Sequence, residues 1–437
     1  MITRITVENF KSYRQAELPL TPLTLLIGAN ASGKTNLIEA IRFLSLLAEG
    51  QHLDDLLASL RRSETVVRGD VHRLTHAEED RFSVGCDLDD SAVGPWTSLG
   101  VSVFAVGGRL RIAEEGVRSS DGDTLYHTVA DPDGASFFTG EGALEVMYQD
   151  PPTDTAGRLE TSASRAVFSH LSLPLTPKRY MGHSLPRVLE AYRSRIRGIQ
   201  FVNPIPARMR GASDVLDRVL AEDGQNLASV LLALDEDSRT GEVLDFVRDV
   251  PEEEVTLIDF AQWPSGEVTF QLEENFGGQH AMQPATVLSD GTLRVLAIAA
   301  AVLSVPEGSL VVMEEVDNGV HPSRVSQLLR NIRRVATERK LTVLVTTHNP
   351  ALLDTLPDEA VPDVVACYRD PEEGDSRLVR LAELTEYPEL VARGPLGRLM
   401  TQGILERTLK HRQSEEERRA EAIRQTEEFL SRMGHGS

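Results

Sequence analysis

Hydrophobic and polar residues alternate with two different periods along the chain, and the period changes between regions. Residues 2–7 alternate with period two, which predicts a half-buried strand, and the apolar run 23–27 ends at Gly28, which predicts a buried strand before a turn. From Lys34 onward the apolar residues recur on one helical stripe. The first 50 residues therefore predict two strands, a loop and a helix.

The middle of the chain changes character twice. Short alternating runs separated by glycine-rich turns occupy residues 81–150 and predict an antiparallel sheet. From about 155 to 250 the period is helical, and strand character returns around 255–275. This region predicts a β subdomain followed by a mainly helical insertion.

The final third alternates helix with strand. Residues 293–305 predict an apolar helix, 310–313 a buried strand, 322–338 an amphipathic helix and 341–345 another strand. Because strand, helix and strand follow one another, we expect a parallel sheet with right-handed crossovers. The charged stretch 406–433 predicts an exposed helix.

These patterns divide the chain into five predicted parts. They are an N-terminal lobe (1–80), an antiparallel β subdomain (81–150), a mainly helical insertion (151–280), a C-terminal lobe (281–400) and a charged helix or tail (401–437).

Composition narrows the cellular setting and the partners. Lysine and arginine total 45 against 67 acidic residues, a net charge of −22, so nucleic acid could bind only through a local patch. One basic stretch, 178–210, is either such a patch or a solvated helix face that balances acidic neighbours. The chain has two cysteines and lacks an apolar run long enough to span a membrane, so we expect a cytoplasmic protein.

A phosphate-binding motif lies between the predicted strand 23–27 and the helix that follows it. Residues 28–35 read G-A-N-A-S-G-K-T, which matches GxxxxGK[ST] in the strand-to-helix context that this motif requires. Its backbone N–H groups would surround phosphate, Lys34 would reach the β- and γ-phosphates, and the Thr35 hydroxyl would bind Mg²⁺. The motif predicts a binding site for a nucleoside triphosphate.

Acidic residues and a histidine follow two later strands. Glu314 and Glu315 end the apolar run 310–313, and His348 follows the next strand. The carboxyl ends of parallel strands are where α/β sheets bind ligands. We therefore expect Glu314 to hold the metal, Glu315 to accept a proton from the attacking water, and His348 to contact the γ-phosphate.

A fourth segment, Leu288-Ser-Asp-Gly-Thr292, precedes the apolar helix. Ser289 or Asp290 could be a helix N-cap, which is a sufficient explanation by itself. Alternatively, Ser289 and the helix N-terminus form a second phosphate-binding surface, which would be most useful if another subunit supplied it.

These motifs, in this order, resemble the ABC-type ATPases of the SMC and RecF kind. The segment 288–292 is similar to their LSGGQ signature, with Asp290 replacing a glycine. The stretch E-E-V-D-N-G-V-H-P (314–322) is similar to the compact AAA_21 ATPases, which include the ATPase part of overcoming-lysogenization-defect proteins. The opening E-N-F-K-S-Y (8–13) and D-G-Q-N-L (223–227) also resemble that group.

The resemblance implies an ABC-type ATPase head, a P-loop α/β fold with an antiparallel β subdomain and a helical insertion. It also implies a homodimer or higher even oligomer that holds ATP and Mg²⁺ between P-loop and signature, with Ser289 and Gly291 acting in trans. Catalysis would involve Glu315, His348 and Lys34, and the metal would be held by Thr35 and Glu314. The expected nucleotide-binding residues are Gly28, Asn30, Ser32, Gly33, Lys34, Thr35, Asn36, Ser289 and Gly291.

Four functions are compatible with these residues. The leading hypothesis is an ATP-driven switch for a separate effector, a nuclease or toxin, in DNA metabolism or phage defence. The alternatives are a RecF-like DNA clamp that uses 178–210, a scaffold that binds ATP structurally, and an autonomous nuclease. Long heptad arms and a CxxC hook are missing from the sequence, as is a convincing nuclease constellation after His348.

Overall fold

A computed structural model of the protein describes residues 1–62, 67–68, 71–77, 79–129, 143–150, 155–171, 184–247, 250, 254–354, 356 and 358–410. The strands are β1 (Ile2–Phe10), β2 (Tyr13–Pro19), β3 (Thr24–Ile27), β4 (Arg81–Leu88), β5 (Ser98–Val106), β6 (Arg109–Arg118), β7 (Thr124–Val129), β8 (Ala143–Asp150), β9 (Thr155–Ser162), β10 (Gln200–Val202), β11 (Ser213–Asp214), β12 (Glu254–Gln262), β13 (Glu267–Phe276), β14 (Gln279–Pro284), β15 (Leu310–Met313), β16 (Thr342–Thr347), β17 (Val364–Arg369) and β18 (Ser376–Arg380).

α-Helices separate several of these strands along the chain. They are α1 (Lys34–Ala48), α2 (Leu53–Arg62), α3 (Val167–His170), α4 (Ser184–Arg197), α5 (Pro206–Met209), α6 (Leu227–Glu236), α7 (Thr240–Val247), α8 (Asp290–Ser304), α9 (Pro322–Glu338), α10 (Pro350–Leu353), α11 (Tyr387–Arg393), α12 (Leu396–Thr401) and α13 (Ile404–Lys410).

A six-stranded sheet in the order β10-β15-β16-β3-β17-β18 forms the centre of the fold. Neighbouring strands are parallel except for the β17–β18 pair at one edge. The predicted buried strands at 23–27 and 310–313 and the predicted parallel pairing are therefore confirmed. Because β15, β16 and β3 are adjacent, the loops that follow them meet at one edge of the sheet.

The central sheet separates two hydrophobic cores. Along β3, Leu26 packs into one core while Leu25 and Ile27 pack into the other. The first core lies between this sheet, α1 and an antiparallel sheet, and the second contains α6, α8 and α9. Burial on both faces explains why β15 is apolar throughout and why β3 is apolar after Thr24.

The antiparallel sheet is larger than the sequence predicts. It contains eight strands in the order β2-β1-β4-β5-β6-β7-β8-β9, so the N-terminal hairpin and residues 155–162 belong to it. The prediction of helical structure from residue 155 is wrong for β9, which is a strand at the sheet edge. The limits of the five predicted parts stay a prediction.

The insertion is helical only in part. Helices α4, α6 and α7 lie where the helical period predicts them, but β10 joins the central sheet. Strands β11, β12 and β14 pair with β13 in a third sheet, which confirms the strand character predicted around 255–275. The predicted helix 322–338 coincides with α9.

Some predictions fall on residues outside the described ranges. Lys178 and Arg179 of the basic stretch lie outside, and so do residues 411–437 of the charged tail. Within the described residues, no helix has both the length and the apolar character that a membrane crossing requires.

Candidate functional site

The loop between β3 and α1 is shaped by two glycines. Gly33 has a φ of 122°, which side-chain-bearing residues rarely adopt, and a Cβ there would lie 2.3 Å from Oγ of Ser376. A Cβ at Gly28 would lie 2.3 Å from the carbonyl oxygen of Cys367. Both positions therefore require glycine, and the loop can curl tightly before α1 begins at Lys34.

This loop borders a cavity of about 400 Å³ at the edge where β3, β15 and β16 end. The cavity collects every predicted P-loop residue from Asn30 to Asn36, both acidic residues and the histidine. The lining residues are Asn30, Ala31, Ser32, Gly33, Lys34, Thr35, Asn36, Ile38, Arg68, Glu314, Glu315, Thr346, Thr347, His348 and Arg369. Residues more than 300 positions apart in the chain thus form one site.

Two polar groups of the P-loop are poised for an anionic ligand. Lys34 Nζ donates to the carbonyl oxygens of Gly28 and Ala29 at 2.6 and 3.1 Å, so it lies over the loop. Burial lowers the pKa of Lys34, and the nearby Cys367 and Glu315 act in the opposite direction. The buried Ser32 Oγ has no hydrogen-bond partner among the described residues. A glycine-shaped cradle, a partly buried cation and an orphaned hydroxyl fit a bound phosphate chain.

Glu315 and His348 lie beside each other in the lining of the cavity. His348 Nδ1 lies 3.4 Å from Glu315 Oε1, and both side chains are about half exposed. Glu315 has a φ of 50°, and its backbone N–H donates to Thr346 Oγ1 at 3.2 Å. Asn318 donates to the other carboxylate oxygen of Glu315. The carboxylate is thereby oriented but still reachable by water, as a general base must be.

Glu314 lies deeper than Glu315. Its backbone N–H donates to the carbonyl oxygen of Val202 at 3.2 Å, and its Oε1 lies 3.4 Å from Nη2 of Arg42. Burial raises the pKa of Glu314, although Arg42 opposes that shift. Glu314 and Thr35 line the same cavity, so a carboxylate and a hydroxyl are available to a divalent cation.

These two oxygen donors fit Mg²⁺. It usually keeps several waters and uses few protein ligands together with substrate phosphates. Among the described residues, no group of three or more His, Cys, Asp or Glu side chains is arranged to hold a metal without a substrate.

Ser289 and Gly291 do not line this cavity. Ser289 is the N-cap of α8, and its Oγ accepts from the backbone N–H of Thr292 at 3.1 Å. A Cβ at Gly291 would lie 2.7 Å from the carbonyl oxygen of Gly319, so glycine allows two backbone segments to touch. Both residues have a structural role within the chain, and their predicted role in trans stays a prediction.

Sequence reasoning missed Arg68 and Arg369, which add two cations to the cavity lining. Arg369 ends β17 beside β3, and its Nε donates to the carbonyl oxygen of Ala31 at 3.2 Å. The rule that ligands bind at the carboxyl ends of parallel strands could have found it. Arg68 pairs with the buried Glu39, and no sequence pattern marks it.

The basic stretch 178–210 is largely neutralised where the structure describes it. Four of its arginines contact acidic side chains: Arg193 with Glu190, Arg195 with Asp90, Arg208 with Asp223 and Arg210 with Asp290. Arg187 and Arg197 are exposed. These pairs support the interpretation of a helix face that balances acidic neighbours.

Comparison with known proteins finds one matching family. A sequence model described as "AAA domain, putative AbiEii toxin, Type IV TA system", AAA_21, matches residues 23–354. The match includes the P-loop, the acidic pair and His348, and it covers well over half of the chain.

Individual relatives and structures are more distant. The chain is 36% identical over 74 residues to the DNA replication and repair protein RecF of Streptococcus thermophilus, which is 16% of this chain and 20% of that protein. RecF of Gloeobacter violaceus is 35% identical over 86 residues, 20% of this chain and 21% of that protein. The chain thus spans about a fifth of the length of the curated relatives it matches.

The comparison with solved structures returns SMC heads at low similarity. An SMC head domain from Thermotoga maritima is 12% identical, with a TM-score of 0.40 over 87% of this chain and 98% of that chain. A second, the SmcHead bound to the C-winged helix domain of ScpA, is 13% identical, with a TM-score of 0.47 over 86% and 97% of the two chains.

Proposed function

Because the chain belongs to the AAA_21 family of ATPase domains, we propose that it hydrolyses ATP in the cavity beside the P-loop and uses that reaction as a switch. The observation that carries this proposal is the convergence of Lys34, Glu315 and His348 on one cavity. A protein that binds ATP only as a structural element has no chemical need for a general base and a histidine there.

Each side chain has a distinct task in the proposed reaction. Lys34 leaves its two carbonyl partners and binds the β- and γ-phosphates, while Ser32 Oγ supplies a further contact. Mg²⁺, when bound by Thr35 and Glu314, neutralises part of the phosphate charge. Glu315 accepts the proton of the attacking water, and His348, 3.4 Å away, lies beside the position of the terminal phosphate.

The proposed switch is closure of two copies around two ATP molecules. Support comes from the location of Ser289, which carries an N-terminal helix dipole and a hydroxyl but lies outside the cavity of its own chain. If this surface binds phosphate, a second copy must present it. Hydrolysis would then open the dimer and change the state of a separate effector, a nuclease or toxin.

Mixing two inactive variants tests this arrangement. Lys34→Met removes the P-loop cation, and Ser289→Asp keeps a capping oxygen but repels phosphate. In a mixed dimer, one site combines the intact Lys34 of one copy with the intact Ser289 of the other. Because each mixed dimer has one complete site out of two, we expect the mixture to regain up to about half of wild-type turnover. Turnover no higher than the sum of the two separate variants would contradict action in trans.

A RecF-like DNA clamp is the second candidate, because the curated relatives that the chain matches are RecF proteins. Replacing the exposed Arg187 and Arg197 with glutamine should weaken DNA binding and reduce its salt dependence if this stretch holds duplex. If the protein is instead a switch for a separate effector, the wild-type protein should not bind DNA even at low salt, since most of the described arginines in the stretch are paired. The purified protein should also leave DNA uncleaved when the two are incubated with Mg²⁺ or Mn²⁺.

A further inference from the structure

Arg42 is a buried cation that lies between two acidic residues. It is 8% exposed, and its Nη1 and Nη2 donate to the two carboxylate oxygens of Glu222 at 2.9 and 2.5 Å. The same Nη2 lies 3.4 Å from Oε1 of Glu314, and the guanidinium stacks 4.1 Å above the ring centre of Phe201. The bond to Glu222 is bidentate, whereas the contact with Glu314 is single and long.

Helix α1, which follows the P-loop, places Arg42 next to the proposed cation site. Arg42 follows Thr35 by about two turns of α1, so both side chains lie on the same face of the helix. Ile38, between them on that face, lines the cavity. Arg42 is therefore close enough to Glu314 to compete with a divalent cation for the same carboxylate.

The backbone around Glu222 is fixed at the same sheet edge. Its carbonyl oxygen accepts from the N–H of Asn203, the residue after β10, at 2.8 Å. Asn226 closes the following turn: its Oδ1 accepts from the Ala221 N–H at 2.7 Å, and its Nδ2 donates to the Val219 carbonyl at 2.9 Å. The D-G-Q-N-L stretch thus builds the turn that presents Glu222 to Arg42.

We propose that Glu222 is a positioning residue for the divalent-cation site: it holds the Arg42 guanidinium so that the Glu314 carboxylate stays available to Mg²⁺. This inference rests on the proposed function. Without Glu222, Nη2 of Arg42 has Glu314 as its nearest acidic partner and forms a full ion pair with it. Arg42 then competes directly with Mg²⁺ for Glu314.

The test is a double-mutant cycle on the Mg²⁺ requirement for binding a fluorescent ATP analogue. Glu222→Gln should raise the half-saturating Mg²⁺ concentration by about five- to tenfold, the effect expected of the net contribution of one hydrogen bond. Its affinity for the analogue in EDTA should not change. Adding Arg42→Met removes the competitor, so the double variant should return to within about twofold of the wild type.

A merely structural role predicts the opposite order. If Glu222 and Arg42 only support the fold, the double variant requires at least as much Mg²⁺ as Glu222→Gln alone, and the inference is wrong. Glu236→Gln, which removes an exposed 2.9 Å ion pair with Arg218, is the matched control and should behave as wild type. A wild-type protein that fails to bind the analogue overturns the proposed function; a wild type that binds, with Glu222→Gln unchanged, overturns only this inference.

Discussion

The cavity beside the P-loop and the start of α8 both carry residues typical of phosphate binding, but local structure explains them to different extents. At α8, an N-cap bond explains Ser289 and a backbone contact with Gly319 explains Gly291. In the cavity, the Ser32 hydroxyl lacks a partner among the described residues, and Glu315 has a positive φ. A ligand gains most from polar groups that have no hydrogen-bond partner within the fold and from backbone held in a strained conformation.

The two regions should therefore respond differently to mutation. The side chains of Glu315 and His348 are about half exposed, so replacing them should alter chemistry more than stability. At the start of α8, Ser289 makes a cap bond and Gly291 a close backbone contact, so replacing them should alter stability as well. Variants of each region can therefore test whether catalysis and stability depend on different residues.

The largest expected effect is on the cavity side. Glu315→Gln keeps the shape of the side chain and its contact with Asn318 but removes the base, so turnover should fall by about 10²- to 10⁴-fold. Nucleotide binding and nucleotide-dependent dimerisation should survive, which size-exclusion chromatography with ATP can show. Glu338→Gln on the exposed face of α9 should leave turnover unchanged. Unchanged turnover in Glu315→Gln would show that another group is the base.

The sequence predicts the cavity well because its parts follow one rule. Buried parallel strands are continuous apolar runs, and ligand-binding residues lie where these strands end. The sequence alone therefore predicts that Lys34, Glu315 and His348 lie close together. Arg42 and Glu222 could not. They are 180 positions apart, and each alone looks like an ordinary charged residue of a helix or a turn.

The fold was harder to predict where burial is weak. Strand β9 lies at the edge of the antiparallel sheet, and residues 156–162 include no buried side chain, so hydrophobic alternation could not reveal it. The pairing of β1 with β4 joins residues 2–8 to residues 83–88, a long-range register that local pattern does not contain. Period predicts elements; it does not predict which distant strands become neighbours.

A smaller effect is expected at the backbone contact of α8. Gly291→Ala places a Cβ 2.7 Å from the Gly319 carbonyl oxygen, so the backbone must shift, and we expect about 1–3 kcal/mol less stability. Gly241→Ala is the control, because no atom lies within 4 Å of a Cβ there and alanine favours helix α7. Urea denaturation of both variants measures the difference. Equal stability would mean that the contact with Gly319 is not a packing constraint.

The smallest expected effect separates the two interpretations of Ser289. Ser289→Ala removes the acceptor for the Thr292 N–H and should lower the free energy of unfolding by about 1 kcal/mol. Ser289→Asp retains an acceptor and places a negative charge at a helix N-terminus, so its stability should match that of the wild type.

If Ser289 is only a cap, Ser289→Asp should also dimerise with ATP and hydrolyse it normally. If the residue faces a partner's phosphate, that variant should be stable yet unable to dimerise, because like charges repel at the interface. Thermal unfolding and ATP-dependent dimerisation should therefore be measured on the wild type, Ser289→Ala and Ser289→Asp. Together they show whether the hydroxyl only caps α8 or also binds nucleotide.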